Sequence, residues 1–241
     1  MAVWQERAEL LFKEEGLNNL KNSNVLIVGL GGVGSFAAEF IARAGVGKMT
    51  IVDGDTVDIT NINRQLPALH STVDQHKVDV VAARLMDINP ELELTKINEF
   101  LSPERTHEIV TPDFDYVLDC IDSVTPKVNL IIAAKRKKVK VISNMGAGGK
   151  FLSSKVQGRD IGKTDFCPVA KNIRKRLKKE GISKGVKAVF STETPDESSV
   201  KLTDGKNYKK SFYGTNSWMP ALFGLHAAET VVRYLLKKEN N

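Results

Sequence analysis

Val25-Leu26-Ile27-Val28-Gly29-Leu30-Gly31-Gly32-Val33-Gly34-Ser35 decides how the chain folds. Four consecutive apolar residues read as a buried strand, the glycines as a tight turn, and Ser35 to Ala44 as a helix with an apolar stripe. Glycines at 29, 31 and 34 in the G-x-G-x-x-G spacing let backbone amides and a helix amino terminus close around a phosphate. The bland alternative is a set of glycines that serves only the turn.

Outward from that stretch the same alternation repeats. A second buried strand at Met49 to Val52 ends on Asp53, 19 residues beyond Gly34, where a carboxylate can accept ribose hydroxyls. Lys77 to Ile88 reads as a helix closed by Asn89-Pro90, Leu92 to Ile97 as a strand, and Tyr116 to Leu118 as another. Pro126 to Lys137 is a helix with proline in its first turn, followed by a strand at Val139 to Ile142 and the glycine-rich Gly146-Ala147-Gly148-Gly149. Strands alternating with helices predict an α/β fold: a Rossmann-like, doubly wound, mostly parallel sheet covered on both faces. Past Lys150 the pattern weakens to a helix from Pro168 to Glu180, a strand at Val186 to Phe190, a polar and mobile stretch from Ser191 to Lys210, and a terminal helix from Trp218 to Leu236. No linker interrupts the chain. We expect one domain over residues 1–241, with residues 1–150 as the nucleotide-binding half and 151–241 as a substrate-binding and dimer-forming half that extends the sheet.

Composition narrows the class further. With 41% hydrophobic and 27% charged residues, the 241-residue chain is neither disordered nor fibrous. Cys120 and Cys167 are its only cysteines, too few for a disulfide framework or a four-cysteine zinc site, and they suit a reducing, cytoplasmic setting. His226, Glu229 and Arg233 interrupt the longest apolar stretch, so no membrane span is expected. The glutamates among the first 20 residues argue against a targeting peptide. A net charge of +6 favours encounters with polyanions, although it equally serves solubility.

The glycine motif and Asp53 fit a nicotinamide dehydrogenase as well as an ATP site. The following segment, Asp53-Gly-Asp55-Thr-Val-Asp58-Ile-Thr-Asn61-Ile-Asn63-Arg64-Gln65, with Lys77 beyond it, tips the balance. A triphosphate carries about four negative charges and needs cations at close range, where each charge-assisted hydrogen bond contributes about 1.5–3 kcal/mol. Arg64 and Lys77 supply them.

Together with Asp119-Cys-Ile-Asp122-Ser123, these motifs resemble the adenylating (ThiF-type) domains of the ubiquitin-activating and sulfur-carrier-activating enzymes. The resemblance implies Gly32 and Asp53 at the adenosine and ribose, Asn61 and Arg64 at the phosphates, and Lys77 at the phosphates and the leaving pyrophosphate. It likewise implies Gly29, Gly31, Gly34, Asp55, Gln65 and Ser123 as the rest of the ATP-contacting set and Asp122 as the Mg²⁺ ligand. Read from the residues alone, Asp122 is a helix cap before Pro126. Arg7 matches an arginine that enters the neighbouring subunit's site, which implies a homodimer; on its own it is an exposed arginine on an amphipathic helix.

Sulfur-carrier-activating relatives usually carry paired Cys-x-x-Cys zinc motifs and ubiquitin-activating ones a thioester cysteine; this chain has no Cys-x-x-Cys. Asn63 to Thr72, Ser143 to Lys150, Asp160 to Thr164, Ile173 to Leu177 and Val189 to Glu193 resemble instead the branch that cyclises threonylcarbamoyladenosine in tRNA. That resemblance implies ATP-dependent dehydration through an acyl adenylate, with AMP and pyrophosphate released. Activation of a ubiquitin-like sulfur carrier's carboxyl terminus is the alternative. The resemblance to the cyclising branch also implies an alkali cation near Ser191-Thr192-Glu193 and a link to a cysteine desulfurase. Gly146 to Gly149 is expected near the substrate. Cys167 is a reactive thiol or a small residue before a helix. Lys171, Arg174, Lys175, Arg176, Lys178 and Lys179 crowd one helix, where like charges repel, and we expect them to meet tRNA phosphates rather than form a merely solvated face.

Overall fold

The computed structural model describes residues 3–202 and 211–238. A first helix, α1 (Glu6–Lys21), precedes β1 (Asn24–Val28), α2 (Gly34–Ala44), β2 (Lys48–Val52), α3 (Lys77–Ile88) and β3 (Glu93–Ile97). Next come α4 (Pro103–Ile109), β4 (Tyr116–Asp119), α5 (Val124–Arg136) and β5 (Lys140–Asn144), then β6 (Val156–Asp160), α6 (Pro168–Lys179) and β7 (Lys187–Ser191). A hairpin of β8 (Val200–Leu202) and β9 (Ser211–Tyr213) leads to α7 (Trp218–Leu235).

Seven strands form one sheet in the order β3-β2-β1-β4-β5-β7-β6, parallel throughout except for β6, which runs antiparallel to β7 along Val156↔Ser191 to Asp160↔Lys187. Both faces are covered, so the central strands are largely apolar, with polar residues such as Asn24 and Asp119 at their ends. Val25 and Ile27 point into a core shared with Ile41, Phe223 and Val231 of α2 and α7. Leu26 and Val28 point into the opposite one with Ile131, Leu177 and Phe190. The α/β class and doubly wound sheet are as expected from the sequence.

The strand order places the site. The chain winds outward from β1 through β2 to β3, then crosses back to lay β4 on the other side of β1. At such a switch point the loops after the two central strands diverge and leave a crevice at their carboxyl ends. Gly29 to Val33 and Cys120 to Ser123 are those two loops.

Three differences from the sequence expectation stand out. The stretch expected to be mobile from Ser191 folds, in its described part, into a short helical turn at Glu197–Ser199 and the β8 strand paired with β9; residues 203–210 lie outside the described residues. The edge strand β6 is absent from the sequence expectation because Gln157-Gly158-Arg159 breaks its apolar pattern. Helix α5 begins at Val124, ahead of the expected Pro126, which makes Ser123 rather than Asp122 its N-cap residue.

Candidate active site

The glycine turn is held from three sides. Gly29 has φ +91°, a left-handed conformation open chiefly to glycine, and a side chain there would stand 2.8 Å from the Cys120 carbonyl oxygen. A Cβ on Gly34 would lie 1.7 Å from the Gly29 carbonyl oxygen. Asp53, at the end of β2, accepts the Leu30 N–H at 2.6 Å and the Asp55 N–H at 2.8 Å. Burial pushes the Asp53 carboxyl above its ordinary value, and the Lys77 charge and these amides pull the other way. No side chain caps α2, whose amino terminus lies at the glycine turn.

The loop after β2 brings the cations. Asp58 and Asn61 cap each other: the Asp58 N–H donates to Asn61 Oδ1 at 3.2 Å and Asp58 Oδ1 accepts the Thr60 N–H at 2.8 Å. That buried Asn61 ends the helical turn whose continuation presents Arg64 and Gln65. The Arg64 guanidinium donates to the Thr60 carbonyl and to Asn63 Oδ1, each at 2.9 Å. Burial pulls its pKa below the ordinary value, while the charges of Asp122 and Asp58 raise it. The Gln65 side chain lies over Gly31, and the Arg64 carbonyl packs against Gly32. Lys77 opens α3 almost fully buried, with its Nζ 3.0 Å from Asp55 Oδ2.

Beyond β4, Asp122 and Ser123 form the other lip, with the Ser123 hydroxyl 3.4 Å from Asp122 Oδ1. The structure therefore gathers Gly29, Gly31, Gly32, Gly34, Asp53, Asp55, Asn61, Arg64, Gln65, Lys77, Asp122 and Ser123 around one crevice. Among the described residues no group of three or more His, Cys, Asp or Glu side chains is placed to hold a metal ion. Asp122 supplies a carboxylate of the kind that suits Mg²⁺, which retains waters and takes substrate phosphate oxygens as further ligands.

Arg7 is not brought to this crevice within its own chain. It lies exposed on α1, two residues from Gln5, whose side chain abuts Gly45 at the far end of α2. The 11 residues of α2 span about 16 Å.

Sequence reading placed Gly146 to Gly149 near the substrate and an alkali cation near Ser191-Thr192-Glu193, but gave Lys150 itself no role. This buried lysine donates to the Gly146 carbonyl at 2.8 Å, and burial lowers its pKa. Its carbonyl accepts from Asn216 at 2.7 Å, while Glu193 accepts the Phe151 and Leu152 amides at 3.0 and 2.8 Å. Gly149 to Phe151 and Gly214 to Asn216 line a cleft of about 270 Å³, tied to the arginine loop by Asn63 Nδ2 donating to the Thr215 carbonyl at 2.8 Å. The glycines before Lys150 were the available signal.

On α6, Lys171, Lys175, Lys178 and Lys179 are exposed. Arg174 is half-buried and donates to the Thr164 hydroxyl; Arg176 donates to Thr125 Oγ1 in the first turn of α5 at 3.0 Å. Cys167 is buried at the start of α6, and burial pushes the Cys120 thiol up to about 12.

The chain is similar to known proteins along almost its whole length. The ThiF family model matches residues 5–241. A tRNA threonylcarbamoyladenosine dehydratase from Bacillus subtilis is 43% identical over 238 residues, covering 96% of this chain and 94% of that protein. A molybdopterin-synthase adenylyltransferase from Haemophilus influenzae is 40% identical but over 129 residues, 54% of this chain and 53% of its own. The crystal structure of the E. coli tRNA N6-threonylcarbamoyladenosine dehydratase in complex with ATP superposes with a TM-score of 0.87 at 34% identity, covering 98% of this chain and 96% of that one.

Proposed function

The chain belongs to the ThiF family, and from that premise we propose that it is an enzyme that uses ATP to dehydrate threonylcarbamoyladenosine in tRNA to its cyclic form. The extent of likeness carries this reading: similarity to the dehydratases runs through both halves of the chain, whereas similarity to the molybdopterin-synthase adenylyltransferase covers about half.

The residues fit the chemistry. A carboxylate oxygen of the threonyl group attacks the α-phosphorus of ATP, the bond to the bridging oxygen breaks, and pyrophosphate leaves. A nitrogen of the same modification then attacks the acyl carbon of the mixed anhydride, expelling AMP and giving up its proton. Both partners of the second step sit on one molecule, and well-oriented intramolecular reactions reach effective molarities of roughly 10⁵–10⁸ M, so no enzyme nucleophile is needed. The protein's task is to neutralise phosphate charge and fix geometry. The α2 amino terminus and the glycine amides take phosphate oxygens, Arg64 and Lys77 offset the charge that builds on the leaving pyrophosphate, and Asp53 holds the turn in shape. Mg²⁺, held by Asp122, would neutralise phosphate charge further.

The exposed lysines of α6 suit tRNA phosphates. Arg176 reaches the first turn of α5 beside Asp122, so this surface leads into the crevice. Arg7, distant from its own crevice, acts in a partner's site in a homodimer. No described helix is long and apolar enough to cross a membrane; a tRNA-modifying role fits a cytoplasmic protein.

Mass spectrometry of nucleosides from tRNA incubated with the protein and ATP tests the reading. The expected result is loss of one water from threonylcarbamoyladenosine with equal amounts of AMP formed. Pyrophosphate exchange that depends on a protein carboxyl terminus instead of tRNA would overturn it.

A further inference from the structure

Beneath the crevice lies a charged pair that the chemistry above does not use. Lys127, on α5, and Asp119, the last residue of β4, are both almost fully buried, and Lys127 Nζ stands 2.7 Å from Asp119 Oδ2. The same ammonium donates to the Asn144 carbonyl at the end of β5, at 2.8 Å. Asp119 also accepts the Ser143 hydroxyl at 2.5 Å and the Ile121 N–H at 3.1 Å. Asn144 Nδ2 returns to the Asp119 carbonyl at 3.2 Å.

Stability alone does not explain the pair. Desolvating two charges offsets most of their attraction, and apolar residues of similar volume often serve a core as well or better. The location is the informative fact. The pair joins α5 to the carboxyl ends of two adjacent strands, where the Asp122 lip and the Gly146 loop begin. One Asp119 oxygen takes the Ile121 amide and so sets the turn that presents Asp122; the other is fixed by Lys127 and Ser143.

We propose that Lys127 is a positioning residue for the reaction: through Asp119 it locks the turn from 119 to 123 and thereby holds the Asp122 carboxylate where magnesium bound to ATP must meet it. The proposal rests on the reading of Asp122 given above.

Lys127→Met alone strands a buried carboxylate and risks unfolding the protein. The charge-neutral double variant Asp119→Asn/Lys127→Met removes that difficulty, and Asp122→Ala runs beside it. Equilibrium dialysis with ATP, with and without Mg²⁺, gives the first readout; amide hydrogen exchange at Ile121 without nucleotide gives the second; AMP release gives the third. The double variant is expected to melt within a few degrees of wild type, exchange the Ile121 amide at least tenfold faster, and lose at least tenfold of the Mg²⁺-dependent gain in ATP affinity. Its kcat should fall at least tenfold with the KM for tRNA unchanged. A folded double variant with wild-type exchange and wild-type Mg²⁺ dependence overturns the positioning role, leaving the Asp122 reading intact if Asp122→Ala has lost that dependence. An Asp122→Ala variant that keeps it overturns both.

Discussion

The Lys77 ammonium is almost fully buried, while the Asp55 carboxylate it meets at 3.0 Å is about half exposed. Breaking this pair therefore has different consequences from its two ends. Lys77→Met returns Asp55 to water at small cost to the fold, but removes a cation that phosphate oxygens need. We expect a melting temperature within a few degrees of wild type and AMP release lowered roughly 10²-fold, the scale for loss of one preorganised charge stabiliser. Asp55→Asn leaves a buried ammonium short of its partner and should lower the melting temperature more than Lys77→Met does. Scanning calorimetry and an AMP assay on both variants check the contrast; the reverse order of stabilities would refute it.

The glycines separate structural from ligand-facing roles. A methyl on Gly34 would stand 1.7 Å from a backbone oxygen, which nothing nearby can relieve, so Gly34→Ala should fail to fold or melt far below wild type. On Gly31 the same methyl meets only the Gln65 side chain at 3.6 Å, ordinary contact. Gly31→Ala should then keep the wild-type melting temperature while ATP affinity drops at least tenfold, because the methyl occupies the approach of the phosphates. Normal ATP binding by Gly31→Ala would place the nucleotide elsewhere.

This contrast marks what a sequence can reveal. Gly29 to Gly34, Asp53 and Lys77 were legible because their requirement is local: a strand, a turn and a helix start impose it on neighbouring residues. Asp119 and Lys127 were not. Asp119 closes an apolar strand, Lys127 sits in a helix whose start the sequence places two residues late, and only the packing of α5 on the sheet turns the two charges into one unit. Lys150 is hidden in part: the glycines before it are legible, but its tie to Asn216 runs across the fold. Helix α4 did carry a local signal, Ser102 capping it before Pro103, but its 7 residues are too short for a periodic pattern.

A second charge cluster makes stability depend on pH. Burial pushes the Glu39 carboxyl up, but hydrogen bonds from Arg84 at 2.5 Å and Arg43 at 2.8 Å outweigh it and hold the group below its ordinary value of 4.5. A carboxyl depressed in the folded state stabilises above its unfolded pKa, and that contribution disappears as pH falls through the folded value. Glu39→Gln should therefore melt a few degrees lower than wild type at pH 7, with the gap shrinking below pH 4.5. A gap that persists unchanged at low pH would show that packing, not charge, is what Glu39 supplies.

The basic helix calls for a distinction among its six cations. Lys171, Lys175, Lys178 and Lys179 point outward, whereas Arg174 is engaged with Thr164. Reversing the four lysines to glutamate should weaken tRNA binding strongly and flatten its salt dependence by about 0.7–0.9 in log–log slope for each phosphate no longer neutralised. ATP affinity should be unchanged. Arg174→Ala should instead lower stability and leave the salt slope almost intact. Filter binding across a potassium chloride series reads both, and identical slopes for wild type and the quadruple variant would remove α6 from the tRNA surface.

Arg7 offers a test of the quaternary arrangement that needs no structure of the dimer. If it acts in the neighbouring subunit, Arg7→Ala and Asp122→Ala proteins are each inactive, yet a mixed dimer contains one site with both residues intact. Its other site lacks both. Random exchange of subunits in an equal mixture makes half the dimers mixed, so about a quarter of all sites regain function in a symmetric two-fold dimer. Denaturing and refolding the two variants together should restore that fraction of wild-type AMP release, while each refolded alone stays inactive. Absence of recovery from a mixture shown to exchange subunits would return Arg7 to the role of an exposed residue on α1.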